Sequence, residues 1–318
     1  MHSLSEPPLF GRLRSAQRVL VAGAGGGFDV YAGLPLAFAL RSQGKDVHLA
    51  NLAFSDLNRL DLDDWLSPGL AAVRPGSSGD DAYFPERTLA RWLDSRGWPP
   101  IVHAFPRAGV RPLRAAYEHL VRHLRLDAVV LVDGGTDILL RGDEAGLGTP
   151  EEDMTSLAAV AALDGVDRLV VSLGFGIDAF HGVCHAHVLE NLAALDRVGG
   201  YLGALSIPSR SPEAEAYLDA VADAQRATPD RPSIVHGQIA AALRGEFGDT
   251  QFTMRTAGSE LFVNPLMGVY FTVDLAILAQ SVGYLGELAG TESATDVAMV
   301  IEAHRDRVER RPRRPIPH

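Results

Sequence analysis

The strongest constraint on the fold lies between residues 18 and 50. RVLVA at 18–22 is an apolar run too short for a helix, and it breaks into Gly23-Ala24-Gly25-Gly26-Gly27-Phe28-Asp29. Residues 30–42 then read as a helix, with Leu34, Leu36, Phe38, Ala39 and Leu40 as its apolar surface and Gly44 ending it. DVHLA at 46–50 reads as a second strand. Strand, glycine-rich turn, helix and strand in succession open a doubly wound sheet. The expected fold class is therefore α/β, Rossmann-like, with a mostly parallel sheet and helices on both faces. Similar runs at 101–104, 128–132, 168–173 and 201–207 supply further strands.

Helices are expected at 86–92, 113–124, 154–163, 181–198, 212–224, 235–243, 267–281 and 294–308. Pro150 at a first helical position and acids in the first turn mark the start of the third of these. Residues 55–100 are punctuated by Ser67-Pro68-Gly69 and a loop at 74–80. No repeat or linker divides the chain, so 18–304 reads as one domain, after a loosely held lead-in at 1–17. Residues 305–318 hold six arginines against Asp306 and Glu309, together with three prolines, and read as a solvated basic tail.

The formal net charge of −11 argues against general nucleic-acid affinity. The tail carries +4 of its own, so the rest of the chain stands near −15. No apolar run approaches the roughly 20 residues that a spanning helix needs, and the first residues lack the apolar core of a signal peptide, so no membrane partner is expected. A lone Cys184 forbids an internal disulfide and suits a reducing, cytoplasmic setting. The partner implied is a small molecule. Association of like chains is compatible with this composition, which leaves oligomeric state open.

Chemistry concentrates at 127–153, DAVVLVDGGTDILLRGDEAGLGTPEED. An apolar strand gives way to a turn flanked by Asp133 and Asp137, and Asp143, Glu144, Glu151, Glu152 and Asp153 follow, seven carboxylates in 21 residues. Open α/β sheets bind ligands at the carboxyl ends of their strands, and carboxylates crowded there need a cation, basic side chains or protonation. Asp133, Asp137, Asp143 and Glu144 are the candidate ligands for Mg²⁺ or Ca²⁺, which take hard oxygen donors. Capping of the turn is the structural alternative for the first two. Glu151, Glu152 and Asp153 have an ordinary explanation in the helix dipole.

Gly25, Gly26 and Gly27 permit close approach of backbone to an anionic group at a helix start. As a dinucleotide fingerprint the turn fails twice. Phe28 stands where G-x-G-x-x-G requires its third glycine, and the second strand leads into Asn51 rather than a ribose-gripping acid. Asp29 is either a helix cap or an acid/base group facing the crevice. His181 and Asp178, behind the strand at 168–173, are further acid/base and substrate-binding candidates. His181, Cys184, His185 and His187 look like a metal cluster, but helical spacing splits them between two faces, which argues against zinc. Arg255, Glu260 and Asn264, in RTAGSELFVNPL, are candidates for closing one side of the site, Arg255 by binding negative charge.

With these motifs in hand, the chain resembles a family of bacterial and archaeal proteins defined only as a domain of unknown function. They pair a glycine-run-plus-Asp turn, here Gly25-Gly26-Gly27-Phe28-Asp29, with a later D-x-G-x-D and G-D-E stretch, here Asp133–Asp137 and Gly142-Asp143-Glu144. The similarity runs from about residue 18 to 304 and implies the fold and the important loops, with no activity attached. A fainter likeness is to nucleoside hydrolases, whose calcium site uses aspartates after the first strand and a later D-P-L turn. Here Asn264-Pro265-Leu266 stands in the place of that turn, and Asp29 is a single acid in the place of a cluster.

The expected function is hydrolysis or group transfer on a small polar metabolite, nucleoside- or sugar-phosphate-like, assisted by a divalent cation. Asp29, Asp137 and His181 are the expected catalytic groups. An NAD(P)-dependent oxidoreductase and a non-catalytic ligand-binding or partner protein are the alternatives.

Overall fold

A computed structural model describes residues 6–258 and 260–316, the Arg255 side chain excepted. The strands are β1 Arg18–Gly23, β2 Asp46–Ala53, β3 Trp65–Ser67, β4 Leu70–Val73, β5 Val102–Pro106, β6 Ala128–Asp133, β7 Asp167–Leu173, β8 Tyr201–Ser206, β9 Gly248–Asp249, β10 Phe262–Val263 and β11 Val269–Asp274. The helices are α1 Pro8–Arg12, α2 Leu34–Ser42, α3 Pro85–Ser95, α4 Val110–Leu124, α5 Pro150–Ala161, α6 His185–Arg197, α7 Pro212–Ala227, α8 Ile234–Leu243, α9 Leu275–Ser281 and α10 Ala294–Arg307.

Nine strands form one sheet in the order β3-β4-β5-β2-β1-β6-β7-β11-β8, and β9 and β10 pair separately. From β5 to β7 all neighbours are parallel. The five parallel strands thus follow the 3-2-1-4-5 order of a doubly wound fold, and the direction of winding reverses between β1 and β6. Side chains alternate across each strand. Val19 and Val21 face the layer that contains α1, α2, α3, α7 and α8, while Leu20 and Ala22 face α4, α5, α6, α9 and α10. Burial on both faces is why β1 and β6 are apolar almost throughout.

Four expectations are corrected. Residues 267–281 are not one helix: a 3-10 turn ends at Gly268, Val269–Asp274 runs antiparallel to both β7 and β8, and only the following seven residues are α-helical. VYFTVD is β-branched and aromatic, and two neighbouring strands outweigh its apolar spacing. The helix expected from 181 starts at His185, after a 3-10 turn over Ile177–His181. The lead-in is packed from residue 6, where its description begins: Leu9 and Leu13 are buried, and the Arg12 guanidinium pairs with Asp167 and Asp274. The basic tail is docked where it is described. Arg311 donates to Asp143, Glu144 and Glu190, the Pro312 carbonyl meets His187 Nε2, and Arg313 donates to the Gly182 carbonyl.

Candidate active site

The site forms where the winding reverses, from the loops that leave β1 and β6. Gly23 ends β1 and the chain turns back through Gly25–Gly27 into a 3-10 turn over Asp29–Gly33. Asp29 does not cap that turn. Its Oδ2 instead accepts from the Gly25 amide at 2.6 Å, which spends that amide inside the protein. A Cβ on Gly25 would lie 2.6 Å from Asp29 Oδ2 and 2.9 Å from Asp153 Oδ1, so two carboxylates require glycine there. Asn51, within β2, braces the same turn: its side-chain amide donates to the Gly27 carbonyl and to Glu86 and accepts from the Val30 amide. The residue where a ribose-binding acid would stand is therefore turned inward.

Asp133 closes β6, and Asp153 enters from the first turn of α5, which Ser156 pins by donating to the Ala24 carbonyl. Carboxylate oxygens of Asp29, Asp133 and Asp153 all lie within 4.8 Å of one another. Asp133 and Asp153 are 3 % and 1 % exposed, and Asp133 Oδ2 and Asp153 Oδ1 have no hydrogen-bond partner. Asp137 and Asp178 face the same cavity, each held by a threonine: Thr149 donates through its amide and hydroxyl to Asp137, and Thr136 does the same to Asp178.

The cavity holds about 490 Å³. Asp29, Asp133, Asp137, Glu152, Asp153 and Asp178 line it, with no lysine or arginine among the described lining residues. Burial is the main reason that all six carboxyls titrate above their usual range. It pushes Asp29 up to about 7 against the Gly25 amide, which favours the charged form. It pushes Asp133 and Asp153 well up, and the charges of their neighbours add to the effect. Asp137 and Asp178 also rise through burial, opposed by their threonine donors. Glu152 rises through burial too, offset by Arg107, which ion-pairs with it at 2.5 Å.

The remaining wall is formed by Gly26, Gly27, Phe28, Phe54 and Tyr83 on one side and by residues 233–236 on the other. His236 Nε2–H donates to the Phe28 carbonyl, so Nδ1 accepts from the Tyr217 hydroxyl, and burial pushes this imidazole down to about 4. It is a neutral strut. His181 stands exposed at the rim.

Of the expected site residues, the structure gathers Gly25, Gly26, Gly27, Asp29, Asp133, Asp137, Asp178 and His181. Asp143 and Glu144 are corrected. Glu144 accepts from the Arg141 and Gly142 amides, Asn191 and Arg311, and Asp143 pairs with Arg311, so both hold the tail and do not line the cavity. Glu260 and Asn264 are corrected too: Glu260 is exposed, and Asn264 caps its own turn through Leu266. The Arg255 side chain lies outside the described residues. The histidines past 181 do not gather either, since His187 meets the tail and His185 the Gly176 carbonyl.

Asp153, Phe54 and His236 were not expected in the site. For Asp153 a signal existed: α5 is buried at every position from Glu152 to Val160. An acid opening a helix that carries no charge from Met154 to Leu163 borders a buried segment, and the dipole does not explain it.

A family model described as "Protein of unknown function (DUF1152)" matches residues 76–307. That span includes Asp133, Asp137, Asp153, Asp178 and His181 and begins beyond the glycine turn and Asp29. No curated protein matches the chain. Among solved structures, the crystal structure of SsfS6, a Streptomyces sp. SF2575 glycosyltransferase, is similar at 15 % identity and a TM-score of 0.24, over 57 % of this chain and 46 % of that one. The chain thus spans under half of that protein, and so faint a likeness carries nothing about activity.

Proposed function

This chain belongs to the DUF1152 family of proteins of unknown function, and we propose that it is an enzyme that hydrolyses or transfers a group of a small phosphate-bearing metabolite with the help of a divalent cation. One observation carries this reading: the three converging carboxylates of Asp29, Asp133 and Asp153, two of which keep a buried oxygen without a partner. Burying such acceptors unpaired is costly, and a hard cation with oxygen ligands is what removes that cost. An anion alone would be repelled by this cavity. A phosphate enters it with its charge neutralised by the cation.

Asp29, Asp133 and Asp153 would hold the cation, which would supply Lewis-acid polarisation to a phosphoryl group. Asp137, fixed by Thr149, accepts the proton of a water or acceptor hydroxyl as its oxygen bonds to phosphorus. The bond to the leaving oxygen breaks, and His181 at the rim returns a proton to it. The inward-turned Asn51 and the acidic lining speak against a nicotinamide dinucleotide, whose pyrophosphate needs open amides.

Calorimetric titration with Mg²⁺ and Ca²⁺ tests the reading. One cation should bind per chain, and Asp133→Asn and Asp153→Asn should each weaken it more than tenfold. Phosphatase and transferase assays with that cation should then lose activity on Asp137→Asn with cation binding retained. Absence of binding by either ion would sink the reading.

A further inference from the structure

Resting on that reading, we propose that the mouth of the cavity seats a nucleobase, so that the substrate is a nucleotide rather than a bare sugar phosphate. Phe54 follows directly on β2 and is 47 % exposed, yet it is not a stray surface ring. Its ring lies across the glycine turn: a Cβ on Gly26 would meet Phe54 Cε1 at 2.5 Å, and one on Gly27 would meet Phe54 Cδ2 at 3.3 Å and the Tyr83 hydroxyl at 3.0 Å. Both glycines have positive φ, 90° and 61°, so the turn is shaped to bring backbone under the two rings.

Each ring is also held from outside. The Arg107 guanidinium lies 5.5 Å from the Phe54 centroid and pairs with Glu152 of the cavity wall. Arg231 lies 5.8 Å from Tyr83, which meets Phe28 edge-on at 5.7 Å. Fixed aromatic faces at a cavity mouth bind flat π-systems by stacking and tolerate differences between bases. The cavity is therefore graded. Carboxylates that hold a cation form its floor, where the phosphate goes, and aromatic rings backed by arginines form its mouth. A ligand that fills both ends carries a phosphate at one end and a flat ring at the other. The volume of about 490 Å³ lies in the ordinary range for a small-molecule site. In doubly wound folds the end of the second strand flanks the nucleoside part of the ligand, and Phe54 stands just past that end.

The test is calorimetry on the full chain with AMP and with ribose 5-phosphate, each in excess Mg²⁺, and with adenosine in the absence of metal. AMP should bind at least tenfold more tightly than ribose 5-phosphate, from which it differs by the base alone. Phe54→Ala should cost about tenfold in AMP affinity and leave ribose 5-phosphate unchanged, while Phe54→Trp should retain AMP. Adenosine should bind weakly, and only with Phe54 present. Equal binding of the two phosphates, no binding of either, or an AMP affinity indifferent to Phe54→Ala overturns the seat. Mg²⁺ bound through Asp133 alongside such a result would leave the cation reading standing. Adenosine held through Phe54 in a protein that binds no cation would show the reverse.

Discussion

Asp153 is held in the folded protein against its own electrostatic preference: nearly buried, beside Asp29 and Asp133, with one oxygen unsatisfied. Removing such a charge relieves repulsion where no cation is bound. Asp153→Asn should therefore raise the stability of cation-free protein at pH 8 by about 1–2 kcal/mol, and it should abolish the gain that the cation gives wild type. Urea unfolding with and without Mg²⁺ measures both. Glu86 gives a separate pH signature. Burial lifts its carboxyl from the usual 4.5 to about 7, with Asn51 and Ser55 donating to it. Between those values the folded chain holds a proton that the unfolded chain has released. Its contribution is thus complete below pH 4.5 and is lost as pH rises through 7, on the order of 3 kcal/mol at most. Glu86→Gln should flatten this loss, and a stability profile from pH 4.5 to 8 as steep as that of wild type would refute the assignment.

The elements around the site are tied together by the chain's last described stretch. Arg311 bridges Asp143 and Glu144, in the loop after β6, to Glu190 on α6, and Arg305 donates to the Gly142 and Glu144 carbonyls. Arg313 holds Gly182, one residue beyond the exposed His181. The tail therefore restrains the two loops that carry Asp137, Asp178 and His181. Arg311→Ala leaves the wholly buried Glu144 without its cation, and should cost about 2 kcal/mol. Amide exchange should quicken at 141–146 and 178–184 and stay unchanged in β1 and β2. Exchange that is uniform across the chain would mean that the tail merely adds stability.

For the molecule as a whole, the sheet carries stability, and the proposed cation site lies at the reversal between β1 and β6. On the proposed reading, binding of a cation there adds to stability. At a cation concentration about a hundred times its dissociation constant, the folded state should gain about 2.7 kcal/mol by mass action, seen as a rise in melting temperature that Asp133→Asn removes. The topology also explains why the site is acidic without being unstable. Its carboxylates sit at strand and helix ends, where the Gly25, Thr136 and Thr149 amides can reach some of them, while the apolar layers on both faces supply the burial energy.

Much of this was open to reading from residues alone. Apolar runs at β1, β6 and β7 mark strands buried on both faces, the glycine turn and the Asp133–Asp137 turn mark strand ends, and strand ends are where such sheets bind ligands. Local pattern suffices there because apolar runs and glycine turns declare themselves by their own residue types, whichever strands they come to pair with. It failed where partners are distant. Glu144 and Asp133 look alike in sequence, yet one is neutralised by Arg311, 167 residues away, and the other faces Asp153 across the cavity. VYFTVD at β11 becomes a strand because β7 and β8 flank it. Which carboxylates converge, and which are paired off, depends on how separate loops are brought together by the packed sheet, and no local spacing encodes that.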